Sequence, residues 1–178
     1  RVRLNFEMAA VPEIIDIAHA LKPDTVCLVP EHREEITTEG GLDVAGQQEH
    51  LGEVVAGMHE RGIKVSMFID PDAHQIDASV ATGADYAELH TGAYANATGP
   101  QGVTELDRLH RAAAQLEGTD LAFHAGHGLS VRNLEAVVRI PGLREVNIVH
   151  DIIARAVFIG LEGAVAEILA ILNAGKPL

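Results

Sequence analysis

Six short apolar segments alternate with amphipathic helical segments along the chain, and this alternation constrains the fold more than any other feature. The apolar segments are rich in Val, Ile, Leu and Phe and are flanked by turn-forming residues, which is typical of buried strands. They cover residues 4–8, 25–29, 64–69, 86–89, 121–123 and 145–149. Strands that alternate with helices in this way predict a parallel sheet covered by helices.

Helical patterns fill the intervals between these strands. Pro12 stands in the first turn of one helical segment, and Gly62 and Gly83 follow two others as left-handed caps. The predicted helices cover residues 13–21, 44–61, 73–82, 103–116, 130–138, 152–158 and 162–173. The segment at the end of the chain predicts an extra C-terminal helix beyond the six βα units.

Ionisable side chains stand at or just after the end of every predicted strand. They are Glu7, Glu31, His32, Asp70, Glu88, His90, His124, His127 and His150. All strand ends of a closed barrel meet at one rim, whereas an open sheet brings together only those near its switch point. The pattern therefore favours an α/β fold of the TIM-type (β/α)8 barrel class over an open doubly wound sheet.

Chain length indicates how much of such a barrel is present. A full barrel takes roughly 250 residues, and this chain has 178. We therefore expect residues 1–178 to form a single (β/α) barrel domain that is N-terminally incomplete and supplies about six βα units.

Charge and cysteine content limit the partners. The formal net charge of −13 argues against nucleic acid or an anionic membrane as the main partner, because both require clustered Lys and Arg. Cys27 is the single cysteine, so an internal disulfide is excluded and a reducing, cytoplasmic location is expected. We expect no apolar stretch of the ~20 residues that a membrane span requires.

Two strands offer candidate acid–base groups. Glu7 shares a strand face with Asn5 and is a candidate general base, or alternatively the partner of a nearby Arg or Lys. Glu88 and His90 lie two residues apart on one face, as an acid–base pair or as hydrogen-bond partners of each other. A second long loop is expected to run from Gly92 to Pro100.

The stretch between residues 28 and 47 predicts a polar loop longer than most βα connections. Thr37, Thr38, Gly40 and Gly41 offer hydroxyls and accessible backbone N–H groups. The loop is interpreted as a lid or binding loop, with a solvated surface loop as the alternative.

The motif HAGHGL at residues 124–129 leaves three interpretations open: a metal clamp, a phosphate cradle or a plain turn. Gly126 and Gly128 would let the backbone approach a ligand, and Ser130 is the expected N-cap of a helix whose start favours an anion. In a barrel that lacks two units, this loop and the one at Val149-His150 are the seventh and eighth, which commonly bind phosphate. The metal interpretation uses His124, His127 and His150.

Several segments together resemble a known family. They read LNFEMA, CLVPEHREEITTEGGLDVAGQ, GIKVSMFIDPD, AELHTGAYA, HAGHGL and VNIVHDIIARAVFIGL. The chain resembles the pyridoxine 5′-phosphate synthases of the deoxyxylulose-dependent vitamin B6 pathway. The resemblance implies a barrel with extra helices that assembles into homo-octamers and uses no metal or organic cofactor. It also implies the condensation of 3-amino-2-oxopropyl phosphate with 1-deoxy-D-xylulose 5-phosphate, which yields pyridoxine 5′-phosphate, inorganic phosphate and water.

The resemblance also implies roles for individual residues. Glu7 corresponds to a proton acceptor, His127 to the proton donor, and Glu88 to a group that stabilises positive charge in the transition state. The implied substrate contacts are Thr37 for the deoxyxylulose phosphate, Gly128 for the aminoacetone phosphate, and Val149 with His150 for a second phosphate-binding loop.

Two departures from the family pattern qualify these expectations. The family usually has Gly at position 149, and Val there restricts the backbone. The family's first two βα units, which carry another catalytic histidine and an arginine, have no counterpart here. A polypeptide that truly begins at Arg1 is therefore expected to have little or no synthase activity. A metal-dependent barrel hydrolase or lyase and an inactive fragment that binds phosphorylated metabolites are the alternatives.

Overall fold

The structure is a computed structural model that describes residues 2–30 and 40–175. Thr37, which the resemblance assigns to substrate binding, lies outside the described residues, as do Glu31 and His32.

Six parallel strands of the described residues form one curled sheet, a half-barrel. The strands are β1 (Asn5–Met8), β2 (Thr25–Leu28), β3 (Lys64–Ile69), β4 (Tyr86–His90), β5 (Ala122–Gly126) and β6 (Leu143–Asn147). Each strand pairs with the next one in the chain, in the order β1-β2-β3-β4-β5-β6. Helices alternate with the strands, so the predicted α/β barrel class with six βα units is confirmed.

Within the described residues, seven α-helices accompany the sheet. They are α1 (Pro12–Leu21), α2 (Gln48–His59), α3 (Ala73–Thr82), α4 (Gly92–Asn96), α5 (Pro100–Glu117), α6 (Leu134–Val138) and α7 (His150–Ala174), and a 3-10 turn over Ala45–Gln47 precedes α2. The prediction of a loop from Gly92 to Pro100 is wrong for the first half of this segment, which forms α4. The two predicted C-terminal helices correspond to the two parts of α7, which are separated by a kink at the non-helical residue Gly160.

Two strand boundaries differ from those expected. β5 continues through His124 and Ala125 to Gly126, and β6 ends at Asn147. Val149 and His150 therefore begin α7 instead of ending a strand. The apolar pattern ended β5 too early because it stops before the polar His124, and it ended β6 too late because Ile148 and Val149 are apolar.

The two faces of the sheet differ in chemistry. Side chains of alternate strand residues point to opposite faces, and the outer face buries apolar residues against the helices. These include Met8, Val26, Leu28, Val65, Met67, Ile69, Ala87, Leu89, Phe123 and Ala125. The inner face carries Glu7, Cys27, Ser66, Glu88 and His124. Barrel interiors are usually filled by branched aliphatic residues, so this polar interior indicates a functional site.

Helix α7 is more apolar than expected. Its length and composition are sufficient for a membrane span, with a mean hydropathy of 1.8 over the qualifying window, so the expectation that no segment would qualify is wrong. The sequence predicts two separate helices on either side of Gly160, and each of these is shorter than a membrane span. Arg155 and Glu167 lie on opposite sides of this break and form a two-bonded ion pair, each N–O distance being 2.8 Å.

Candidate active site

A cavity of about 380 Å³ lies at the carboxyl ends of the strands, within the size range of small-molecule sites. Its lining comprises Glu7, Val29, Phe68, Glu88, His127, Gly128, Leu129, Ser130, Asn147, Ile148, Val149, His150 and Asp151. The structure thus brings together every predicted site residue that it describes: Glu7, Glu88, His127, Gly128, Val149 and His150.

Glu88 lies on the inner face of β4 and is only 3% exposed. The Asn147 side-chain amide donates to its Oε2 at 2.7 Å, and the Cys27 thiol contacts the same oxygen at 3.5 Å. Burial, and secondly the nearby Glu7 carboxylate, raises the pKa of Glu88 to about 7. Glu88 is therefore divided between its neutral and charged forms at neutral pH.

Gly126 makes room for the Glu88 carboxylate. A Cβ at position 126 would overlap Glu88 Oε1 and would lie 3.2 Å from the carbonyl oxygen of Asn147. The sequence interpretation had Gly126 admitting a ligand. The structure corrects this, because the space above Gly126 is taken by a side chain of the protein itself.

His127 directly follows β5 with a backbone φ of 78°, a conformation that non-glycine residues rarely adopt. The Thr91 hydroxyl contacts two carbonyl oxygens of this turn, that of Gly126 at 2.7 Å and that of His127 at 2.6 Å. Burial lowers the pKa of His127, and the charge of His90 lowers it further. A histidine held in this way is a stronger acid than a free one, which suits a proton donor.

His90 pairs with Asp70, and not with Glu88 as the sequence had indicated. Its Nδ1 lies 2.9 Å from Asp70 Oδ1, at the end of the neighbouring strand, and it forms no hydrogen bond with Glu88 among the described contacts. The His90 hydrogen bond lowers the pKa of Asp70. Sequence reasoning noted Asp70 as a strand-end group but missed the pair, because it depends on the contact between β3 and β4.

The turn after His127 is closed by Asn133. The Asn133 side chain accepts the Ser130 N–H at 2.7 Å and donates to the carbonyl oxygen of Gly128 at 3.1 Å. Helix α6 begins only at Leu134, so the expectation that Ser130 caps a helix directly after the motif is wrong. The helix start that lines the cavity belongs to α7, where Val149 is the N-cap residue.

The three histidines of the metal interpretation do not converge. His124 lies inside β5, stacks on Tyr86 with ring centroids 4.6 Å apart, and lines a different cavity from His127 and His150. Over residues 2–30 and 40–175, no group of three or more His, Cys, Asp or Glu side chains is arranged to hold a metal ion. The metal interpretation therefore lacks its proposed ligand set.

Comparison with known proteins identifies the family. The family described as pyridoxal phosphate biosynthesis protein PdxJ matches residues 1–174. The chain belongs to the PdxJ family.

Curated relatives in the PdxJ family agree with this assignment. The chain is similar to the pyridoxine 5′-phosphate synthase of Magnetococcus marinus, with 51% identity over 94% of this chain and 69% of the relative. It is also similar to that of Synechococcus sp., with 54% identity over 94% of this chain and 70% of the relative.

Solved structures outside the family share the fold. The match to an HpcH/HpaI aldolase/citrate lyase family protein from Burkholderia cenocepacia has a TM-score of 0.58 at 11% identity. It covers 97% of this chain and 76% of the other. At this identity the likeness concerns the α/β barrel architecture alone.

Asn147 is the functional residue that sequence reasoning missed most clearly. The predicted strand 145–149 placed it inside a strand, where it received no role. The sequence feature that could have indicated its role is its spacing of two residues from Glu145, which places both side chains on the inner face of β6. The Asn147 side chain donates a hydrogen bond to Glu88 from the end of this strand.

Proposed function

We propose that this chain is a pyridoxine 5′-phosphate synthase, which condenses 3-amino-2-oxopropyl phosphate with 1-deoxy-D-xylulose 5-phosphate. The products are pyridoxine 5′-phosphate, inorganic phosphate and water. Membership of the PdxJ family supports the reaction. The observation that carries the residue assignment is the single cavity lined by Glu7, Glu88 and His127.

The two carboxylates provide a receptor for a cationic group. The Glu7 carboxylate disfavours charge on Glu88, which contributes to the raised pKa of Glu88. A substrate ammonium, or an iminium formed from it, placed beside both carboxylates would relieve this repulsion. Glu88 would then be held as a carboxylate and stabilise the positive charge that develops during imine formation.

Proton transfers are assigned to the other two groups. Glu7 is the proposed proton acceptor, and its side chain lines the cavity from β1. His127 is the proposed proton donor, because burial and the charge of His90 lower its pKa and so make its protonated form more acidic. Ring closure requires several such transfers, and one acceptor and one donor in the same cavity can serve successive steps.

Phosphate binding is assigned to the turn after β5 and to the start of α7. Gly128, Val149 and His150 line the cavity, and backbone N–H groups at a helix start favour anions. The carboxylate of Asp151 also lies in this cavity and accepts the Val131 N–H at 3.4 Å. Local donors must therefore hold phosphate against a chain of net charge −13. Thr37 remains the proposed contact to the deoxyxylulose phosphate.

We also propose a cellular location, an oligomeric state and a set of excluded partners for this chain. The chain acts in the cytoplasm as a homo-octamer, without a metal or organic cofactor and without nucleic acid or membrane as a partner. Exposed apolar side chains on α7, among them Val157 and Phe158, support self-assembly.

The test measures pyridoxine 5′-phosphate formation by the full chain and its variants. We expect Glu7→Gln and His127→Asn to reduce turnover about 100-fold or more, as for the loss of an acid–base group. His110→Gln, which changes an exposed histidine on α5, is the matched control and should leave turnover unchanged. Normal turnover by both site variants would refute the assignments, and loss of wild-type activity on chelation would favour the metal-dependent alternative.

A further inference from the structure

Beside the proposed proton donor lies a pair of a buried histidine and a half-exposed carboxylate, which the assigned roles do not use. His90 is 6% exposed, and its Nδ1 lies 2.9 Å from Asp70 Oδ1. Its other nitrogen, Nε2, is buried and has no hydrogen-bond partner among the described residues. The Asp70 hydrogen bond fixes the ring orientation and directs Nε2 away from Asp70.

His90 and His127 face each other across a small gap. Their ring centroids are 4.9 Å apart in an edge-to-face arrangement, and the Phe68 ring packs on His90 with centroids 5.1 Å apart. A Cβ at Gly92 would lie 2.5 Å from His90 Nε2 and 3.0 Å from His127 Cδ2. Glycine at position 92 therefore permits the close approach of the two imidazoles.

Resting on the proposed role of His127, we propose that Asp70 and His90 form a positioning dyad. The dyad holds the His127 ring in its strained turn and places the His90 imidazole beside it. The charge of His90 lowers the pKa of His127. His127 then releases its proton to substrate more readily than an isolated histidine would.

Other charged groups surround this assembly and bear on its titration. Glu7, Glu88, His150 and Asp151 line the same cavity as His127, and Arg108 on α5 lowers the pKa of Asp70 from the outer side. Among the described residues, burial and the charge of His90 lower the pKa of His127. Removing the His90 charge is therefore expected to act on His127 directly.

The experiment follows the His127 imidazole by NMR across pH in the full chain, alongside the pH profile of kcat. In Asp70→Asn and His90→Gln we expect the pKa of His127 to rise by about one pH unit. The alkaline limb of the kcat profile, where the proton donor loses its proton, should move to higher pH with it, and kcat near neutral pH should fall about tenfold with a smaller change in KM. His74→Gln, an exposed histidine on α3, is the matched control and should move neither.

Asp70→Asn guards against misfolding, since the Asp70 side chain is 41% exposed and Asn can still accept the His90 hydrogen bond. Asp70→Glu should restore part of the wild-type profile because the negative charge returns. An unchanged His127 titration in both folded variants would overturn the dyad, as would a fall in kcat without any change in the pH profile. The titration needs no turnover, so a wild-type chain that forms no pyridoxine 5′-phosphate would count against the proposed function and not against the dyad.

Discussion

At the scale of single residues, Glu88 combines function with a cost in stability. A carboxyl group that is 3% exposed and lies near Glu7 prefers to be neutral, and its pKa is accordingly about 7 against an ordinary value of 4.5. The same environment that prepares Glu88 to receive a cation disfavours its charged form in the empty site. Functional sites often carry such a cost.

The pH dependence of stability follows from this pKa. The folded state binds the Glu88 proton more tightly than the unfolded state, so this contribution to stability is fully present below pH 4.5. It is lost as pH rises through about 7. Glu88→Gln removes the charge, so we expect the variant to gain on the order of 3 kcal/mol over the wild type at pH 8 and little at pH 4.

Urea unfolding at several pH values measures this difference. Glu60→Gln, at a side chain that is 78% exposed, provides the control and should change stability little at either pH. A Glu88→Gln gain that is the same at pH 4 and pH 8 would contradict the raised pKa. Glu88→Gln should also lose turnover. A variant that is more stable and less active would show that the Glu88 charge serves catalysis and lowers stability.

At the scale of secondary-structure elements, the junction between β4 and β5 holds the site together. Thr91 is fully buried just after β4, and its hydroxyl contacts the carbonyl oxygens of both Gly126 and His127. The hydroxyl ties the end of one strand to the strained turn that follows the other. The position of His127 therefore depends on a residue that lies outside the cavity lining.

Thr91→Val tests this junction because it keeps the side-chain shape and removes the hydroxyl. We expect a loss of about 1–3 kcal/mol in the free energy of unfolding, since the part-buried carbonyl of His127 loses the Thr91 hydroxyl while that of Gly126 keeps the Thr91 N–H. We also expect kcat to fall about tenfold as the His127 turn loosens, in keeping with the sensitivity of general acid catalysis to geometry.

Thr82→Val is the matched control for this prediction. The Thr82 hydroxyl is also buried and donates to a backbone carbonyl, that of Ser79 at 2.7 Å, but it lies on α3. Its stability loss should be similar while kcat is unchanged. Equal effects of the two substitutions on kcat would show that Thr91 acts only through general stability.

Gly126→Ala tests the fit between the same two strands. The added methyl group would overlap the Glu88 carboxylate, so the side chain or β5 must shift. We expect a loss of about 1–3 kcal/mol, typical of overpacking, together with a change in the pH profile as Glu88 moves. Gly57→Ala, where a Cβ meets nothing within 4 Å on α2, should be neutral or stabilising.

The sequence predicted the elements better than their junctions. The outer face of each strand is apolar, which made all six strands recognisable, and the ionisable strand ends indicated a barrel rim. The predicted end of β5 came too early because the apolar pattern stops before His124. The predicted end of β6 came too late because the apolar residues Ile148 and Val149 follow the strand.

Contacts between distant segments were beyond the sequence for a related reason. The bond from Asn147 to Glu88 and the pair of His90 with Asp70 depend on strand register, and register is set by the whole sheet. The predicted role of Gly126 failed in the same way, since the atom nearest to it belongs to another strand. Residue types at strand ends predicted which groups would meet, but not which of them would bond.

At the scale of the whole molecule, the two edges of the half-barrel approach each other through one described ion pair. Arg3, just before β1, lies 2.6 Å from Glu145 on β6. The pair joins the first and last strands across the interior. Both side chains are substantially exposed, Arg3 at 68% and Glu145 at 30%, so the pair marks proximity and contributes little to stability.

The outer surface of α7 bears on assembly. Val157 is 80% exposed and Phe158 is 83% exposed, and Ile153 and Leu161 are more than half exposed. Exposed apolar residues in a contiguous group indicate an interaction surface. Under the proposed homo-octamer, this surface would be buried between copies of the chain, which also explains a helix apolar enough to resemble a membrane span.

Phe158→Ser and Val157→Ser test which environment covers α7. If copies of the chain bury this surface, the wild type should sediment as an oligomer free of membranes, and the double variant should sediment as a smaller species. The reason is that each large apolar side chain contributes about 1.5–3 kcal/mol when it is fully buried, so the loss of two per copy weakens every contact. Val103→Ser, at a side chain that is 62% exposed on α5, is the control and should leave the mass unchanged. Recovery of the wild type in the membrane fraction would contradict the assembly, and so would a double variant of unaltered mass.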